Sequence, residues 1–206
     1  MCGLIGYACD DPQPEHADAV RALFYESRVR GLHAFGFAAW DGQRVATQRF
    51  LDLKQCLAAL PRQATRLIGH CRYSTSGDYQ NVDNNQPLQI ADAALAFNGV
   101  ISMAIKEEYE RQYARAYLTE NDGEIFLDKF VRHDGWLEFV ATGRFSFAGL
   151  TLQRGRMTAL RNKNRPLFRV EHHNATFFAS TADIFRRAGF TELPTPVPCG
   201  VAVHVG

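Results

Sequence analysis

The sequence lacks the features that would place it in several broad classes. Its five cysteines, Cys2, Cys9, Cys56, Cys71 and Cys199, are odd in number, scattered, and include no Cys-x-x-Cys pair. Neither a disulfide framework nor a zinc site is indicated. The seven histidines form no metal-ligand spacing, so we expect no metal and no cofactor. Lys plus Arg number 23 against 22 Asp plus Glu, a net charge of +1, which gives no electrostatic reason for nucleic acid or an anionic membrane surface as partner. No apolar run is long enough to span a bilayer, and no basic segment leading into an apolar one opens the chain, where Asp10, Asp11 and Glu15 come early. From these absences we expect a cytoplasmic protein. No linker, internal repeat or low-complexity segment stands out, and residues 1–206 read as a single domain.

What is present suits a globular fold: 206 residues with 46% apolar and 22% charged content can bury a sizeable core. A short apolar, glycine-interrupted strand runs from Gly3 to Ala8. Apolar positions at helical spacing predict a helix over Pro14–Arg30, with Gly31 at the place of a C-terminal cap. His33–Trp40 and Arg44–Phe50 flank Asp41-Gly42-Gln43, a strong hairpin signal. A short helix over Asp52–Leu60 and a strand over Arg66–Tyr73 follow, the strand leading into a polar loop that ends near Pro87. Leu88–Ile90 and Ala93–Phe97 read as an antiparallel pair, and Tyr117–Thr119 as a short extended piece. Helices are expected over Lys106–Tyr113, Glu124–Arg132 and Trp136–Ala141. The last third alternates strands and turns, with one helix after Thr181 and a closing strand over Val201–Val205. Antiparallel hairpins with helices in two blocks point to sheets covered by helices, not to a βαβ array.

Chemistry enters at the second residue. A cysteine directly after the initiator can become the first residue of the mature chain, and it then carries nucleophile and base together. A free α-amine has a pKa of about 8 and can take the proton of a thiol whose own pKa is about 8.5. Removal of Met1 is therefore expected.

Cys2-Gly3-Leu4-Ile5-Gly6, the run Gly69-His70-Cys71-Arg72-Tyr73-Ser74-Thr75-Ser76-Gly77, Asn84-Asn85-Gln86-Pro87, Asn98-Gly99 and Asn121-Asp122-Gly123-Glu124 occur in this order. Gly143–Ala148, Arg161–Leu167 and Phe178–Asp183 extend the pattern over nearly the whole chain. In these segments the sequence resembles the class II glutamine amidotransferases, glutaminase domains of the N-terminal nucleophile hydrolase superfamily. The resemblance implies a four-layer αββα sandwich of two mainly antiparallel sheets covered by helices. It implies Cys2 as nucleophile, and Asn98 and the Gly99 N–H as the oxyanion donors. It further implies a substrate set of Arg72, Tyr73, Thr75, Ser76, Gln86 and Asp122. Arg72 suits the α-carboxylate of L-glutamine and Asp122 its α-ammonium group.

Two positions depart from the family pattern: Gln86 where some branches carry histidine, and Ser102-Met103 where many carry an asparagine. His70, Cys71 and Cys9 are read as structural, and the pair His172-His173 as turn surface. The function implied is hydrolysis of the glutamine side-chain amide, with the ammonia passed to a separate synthase. Two other readings stand beside it: another amidase or peptidase of the superfamily, and a catalytically silent glutamine-binding scaffold. Arg72 with Asp122 favours a free amino acid as substrate.

Overall fold

The computed structural model describes residues 1–75 and 77–206. Among these residues, twelve strands and six α-helices follow in chain order. The first third comprises β1 Gly3–Ala8, α1 Pro14–Ser27, β2 Ala34–Trp40, β3 Val45–Phe50, α2 Leu53–Ala59 and β4 Arg66–Arg72. The middle holds β5 Leu88–Ile90, β6 Ala93–Val100, α3 Lys106–Tyr113, α4 Gly123–Arg132 and α5 Trp136–Thr142. The chain continues with β7 Ser146–Gln153, β8 Arg156–Arg161, β9 Phe168–His172, β10 Ala175–Ala179, α6 Ala182–Arg187, β11 Thr195–Pro196 and β12 Val203–Val205.

These strands build a seven-stranded sheet in the order β11-β9-β10-β1-β4-β2-β3 and a five-stranded sheet in the order β12-β8-β7-β6-β5. Every pairing between named strands is antiparallel. Because successive strand residues face opposite sides, each strand divides its side chains between two layers. In β1, Ile5 and Tyr7 pack with Leu23 and Phe24 of α1, while Leu4 and Ala8 pack with Ala96, Ala148 and Leu150 of the second sheet. Phe97 and Phe147 turn outward from that second sheet onto Phe126 and Phe130 of α4. The result is the expected four layers of helix, sheet, sheet and helix. Small residues line the inter-sheet face: a Cβ on Gly6 would come within 3.0 Å of Leu150, so the sheets approach closely there.

Three local expectations change. The helix α1 ends at Ser27 with Arg28 as its C-cap, and Gly31, extended with φ of −169°, caps instead the 3-10 turn over Arg28–Arg30, its N–H donating to the Arg28 carbonyl. Glycine is needed at 31 because a Cβ would lie 2.2 Å from the Arg72 carbonyl carbon, where the chain passes the end of β4. Tyr117–Thr119 joins no strand. Its backbone N–H groups are held at Leu118 and Thr119 by the Glu124 carboxylate, at 3.2 and 2.6 Å. The two-residue β11 has no sequence signal, since it contains a proline and sits exposed on the sheet edge.

Candidate active site

At one end of the sandwich the inter-sheet face carries buried polar residues. In β4 the parity that sends Ile68 into the inter-sheet core also assigns His70 and Arg72 to that face, and in β6 the parity of Ala94 and Ala96 carries Asn98 there. Cys2 precedes β1 with the parity of Leu4. Alternation alone therefore converges Cys2, Arg72 and Asn98.

The bonds bear this out. The Cys2 backbone nitrogen donates to Asn98 Oδ1 at 3.1 Å. A donor on that side fixes the carboxamide with its oxygen toward Cys2. Asn98 is 2% exposed, and its Nδ2 has no partner among the described residues. A buried N–H pair left open costs roughly 1–3 kcal/mol unless a ligand accepts from it. Gly99 adds a second donor. The N–H of Phe97 points to the β5 side of β6, where it meets Gln86, and strand alternation directs the N–H of Gly99 the same way, beyond Leu88 where β5 begins. A Cβ on Gly99 would lie 2.0 Å from the Ser146 carbonyl oxygen, so only glycine keeps this backbone against β7.

The thiol of Cys2 lies against the end of β4. The Tyr73 N–H donates to Sγ at 3.4 Å, and Sγ can donate to the Tyr73 carbonyl at 3.6 Å. Burial raises the Cys2 pKa, opposed by the Tyr73 hydrogen bond and the positive charges of the chain terminus, Arg72 and Arg30. The sulfur is thus held as a thiol at neutral pH and needs a base to become nucleophilic. Two further groups hold the Cys2 carbonyl: Arg30 Nε at 2.9 Å and Ser180 Oγ at 3.4 Å, the latter also accepting from Leu4 N at 2.8 Å. Met1 is exposed, and its sulfur meets only Arg30 Nη2, at 3.6 Å, among the bonds described.

Arg72 is 3% exposed, and its guanidinium donates to Asn85 Oδ1 and, at 3.4 Å, to the Gly77 carbonyl. Burial lowers its pKa, with Cys2, Asp78 and Glu120 acting in the opposite sense. The loop that follows is anchored at several points. His33 Nδ1 accepts the Ser74 N–H at 2.9 Å, and its ring stacks between Tyr73 and Tyr79 at 5.1 and 4.8 Å. Asn84 Nδ2 donates to Glu120 Oε2 at 2.8 Å, while Asn121 Nδ2 donates to the Asn84 carbonyl at 3.1 Å. Thr75 and the Tyr73 ring are exposed at the rim. Ser76 lies outside the described residues. Gln86, also in the expected substrate set, is buried with its side-chain carbonyl accepting the Phe97 N–H at 2.6 Å.

Asp122 is 6% exposed and sits at the start of α4, yet its carboxylate does not cap that helix. Asn121 Oδ1 instead accepts the Gly123 N–H at 3.1 Å, and Asp122 Oδ2 accepts from Ile101 N and, at 2.9 Å, from Ser102 N. Burial raises the Asp122 pKa against the lowering effect of these N–H groups. One carboxylate therefore fixes the loop that leaves the Asn98-Gly99 strand. The sequence alone assigns no role to Arg30, Asn85, Asn121 or Ser180. Asn85, Asn121 and Ser180 lie inside the recognised segments, whereas Arg30 carries no signal, because its contact to Cys2 spans 28 residues.

Comparison with known proteins bears on this arrangement. The family described as "glutamine amidotransferase domain" matches residues 70–187. Over 135 residues the chain is 30% identical to the amidophosphoribosyltransferase of Methanothermobacter thermautotrophicus, covering 60% of this chain and 28% of that protein. Over 131 residues it is 30% identical to the isomerizing glutamine–fructose-6-phosphate aminotransferase of Caulobacter vibrioides, covering 61% of this chain and 21% of that protein. The chain thus spans less than a third of the length of either relative. The fold is shared with the solved glutamine phosphoribosylpyrophosphate amidotransferase of B. subtilis, with a TM-score of 0.71 at 20% identity, over 95% of this chain and 44% of that one. Among the described residues no helix is long and apolar enough to cross a membrane. With the family match over more than half its length and the two-sheet sandwich in place, the chain belongs to the class II glutamine amidotransferase domain family.

Proposed function

We propose that residues 1–206 form one glutaminase domain that releases ammonia from the side-chain amide of L-glutamine through a Cys2 thioester. Removal of Met1 turns the Cys2 nitrogen into an α-amine. Held at Asn98 Oδ1, the amine takes the thiol proton as Sγ attacks the amide carbon, and the carbonyl oxygen becomes an oxyanion at Asn98 Nδ2 and the Gly99 N–H. The amine then protonates the departing nitrogen, the C–N bond breaks, and ammonia leaves a γ-glutamyl thioester. Water adds to the thioester and releases glutamate and the free thiol. The observation that carries this reading is the 3.1 Å bond from Cys2 N to Asn98 Oδ1, which joins base, nucleophile and an open buried donor in one residue pair.

Arg72 binds the α-carboxylate in this proposal and Asp122 the α-ammonium, with Tyr73, Thr75 and Ser76 at the rim and Gln86 behind them. The two charged groups are both buried, which favours a free amino acid over a peptide or acyl chain. The acceptor is aminated on a separate synthase. Met103, 90% exposed, together with the exposed Tyr73, Ile105 and Leu118, supports docking of such a protein beside the Asn98 loop. A direct test is ammonia release from glutamine by the purified domain and its Cys2→Ala variant. Turnover lost in the variant with the fold intact is expected, and turnover retained would exclude the thioester.

A further inference from the structure

We propose that His70 and Gln86 are positioning residues, which together clamp the Phe97 peptide groups and so set where Asn98 and the Gly99 N–H stand relative to Cys2. This inference rests on the oxyanion roles proposed above for Asn98 and Gly99.

The ladder between β5 and β6 stops short of Phe97. Strand β5 pairs with β6 at Ile90↔Ala93, Gln89↔Ala94 and Leu88↔Leu95. One more antiparallel step would set Gln86 opposite Phe97, but Pro87 has no N–H and the chain leaves the sheet there. Phe97 follows Leu95 with the same hydrogen-bonding direction, so its N–H and C=O face a place with no strand backbone. Both groups are buried and both need partners.

Two side chains supply them. Gln86 Oε1 accepts the Phe97 N–H at 2.6 Å, and His70 Nε2 lies 3.1 Å from the Phe97 carbonyl oxygen, where only a protonated ring nitrogen makes a bond. His70 has no exposed surface. Burial, with Arg72 nearby, brings its pKa down to about 3, so the ring is neutral and carries its single proton on Nε2. Nδ1 has no partner among the described residues.

The placement gives these bonds a consequence beyond stability. His70 lies on β4, two residues before Arg72 and three before the Tyr73 peptide that holds the Cys2 sulfur. Phe97 lies on β6 of the other sheet, directly before Asn98. The histidine therefore ties the strand that holds the nucleophile and the substrate arginine to the strand that holds the oxyanion donors. Gln86 fixes the other side of the same residue. Oxyanion donors act only within a few tenths of an ångström of the developing charge, so a shifted Phe97 peptide weakens catalysis more than ground-state binding.

The test compares the Met1-processed protein with His70→Leu, His70→Gln and Gln86→Met. Glutamine places an amide N–H where imidazole has Nε2–H, so His70→Gln is the conservative replacement. Two quantities are read: steady-state glutamine hydrolysis, and affinity for the γ-aldehyde of glutamate, to which Cys2 adds to give a tetrahedral thiohemiacetal. Glutamate affinity is the control, since glutamate makes the same end-group contacts without the tetrahedral oxygen. We expect His70→Leu and Gln86→Met to lower kcat by about ten- to a hundredfold, less than loss of an oxyanion donor itself. KM and glutamate affinity should move by no more than about twofold. Aldehyde affinity should fall in parallel with kcat, and His70→Gln should restore most of both. Unchanged kcat and aldehyde affinity in an active background, or an equal loss of glutamate affinity, would overturn the clamp alone. A wild-type protein that neither hydrolyses glutamine nor binds the aldehyde would overturn the underlying reading with it. If His70→Leu does not fold, Gln86→Met and His70→Gln decide the matter by the same readings.

Discussion

Asn98 and Arg72 sit at opposite ends of the proposed substrate, and their variants should fail in different ways. Asn98 Nδ2 gains a partner only when the carbonyl oxygen becomes an anion, so Asn98→Ala should lower kcat by about 10²- to 10³-fold with a small change in KM. Arg72 and Asp122 meet charges that glutamine carries throughout the reaction. Arg72→Ala and Asp122→Ala should each cost about 2–5 kcal/mol in kcat/KM, chiefly through KM, measured by initial rates against glutamine concentration. Equal kinetic losses in all three variants would mean that the site has been misread. The remaining buried cysteines are rivals to Cys2 by composition only. Cys71 is fully buried with its pKa raised well above normal, as burial disfavours the thiolate, so Cys71→Ala should keep glutaminase activity where Cys2→Ala loses it. His70 makes a separate prediction for stability. Its folded pKa of about 3 lies below the ordinary 6.5, so between these values the unfolded chain binds the extra proton. Stability is therefore lost as pH falls below about 6.5, with a contribution of up to roughly 1.4 kcal/mol per pH unit that His70→Gln should remove from denaturant midpoints.

Among the elements, the sequence was most legible where burial and turn chemistry agreed. The hairpin at Asp41-Gly42 is present, with Gly42 at φ of +97°, and Leu88–Ile90 pairs antiparallel with the strand from Ala93 as expected. Illegible features depend on contacts far along the chain. Nothing local says that Gly31 must make room for Arg72, that Glu124 replaces a strand partner for Thr119, or that Asp122 leaves its helix to hold Ile101 and Ser102. The site was half legible for the same reason: motif residues and strand parity marked Cys2, Arg72 and Asn98, while the groups that hold them, Arg30, Ser180, Asn85 and His70, act across the fold. Close packing between elements also yields a prediction. A Cβ on Gly69 would fall 2.3 Å from the Phe24 ring, so Gly69→Ala should push α1 off β4 and destabilise the protein by about 1–3 kcal/mol, read from urea unfolding. An unchanged midpoint would show that Phe24 swings aside at no cost.

At the scale of the whole molecule, two sheets meet over a largely aliphatic face, and the end of that face beside Cys2 is polar. The helices close the outer sides, with α1, α2 and α6 over the larger sheet and α4 and α5 over the smaller. The proposed chemistry thus has a floor of packed sheet and, beside it, the exposed side chains of Tyr73 and Met103. A synthase bound there should accelerate glutamine hydrolysis when its acceptor is present, whereas the isolated domain should turn over slowly. Every step of the account depends on Cys2 as both nucleophile and base. Intact-mass analysis of active protein after treatment with a diazoketone analogue of glutamine, followed by peptide mapping, tests this most directly. A chain lacking Met1 with one adduct, on the Cys2 sulfur, is expected; a fully active chain that retains Met1, or an adduct on another cysteine, would rule out Cys2 in this double role.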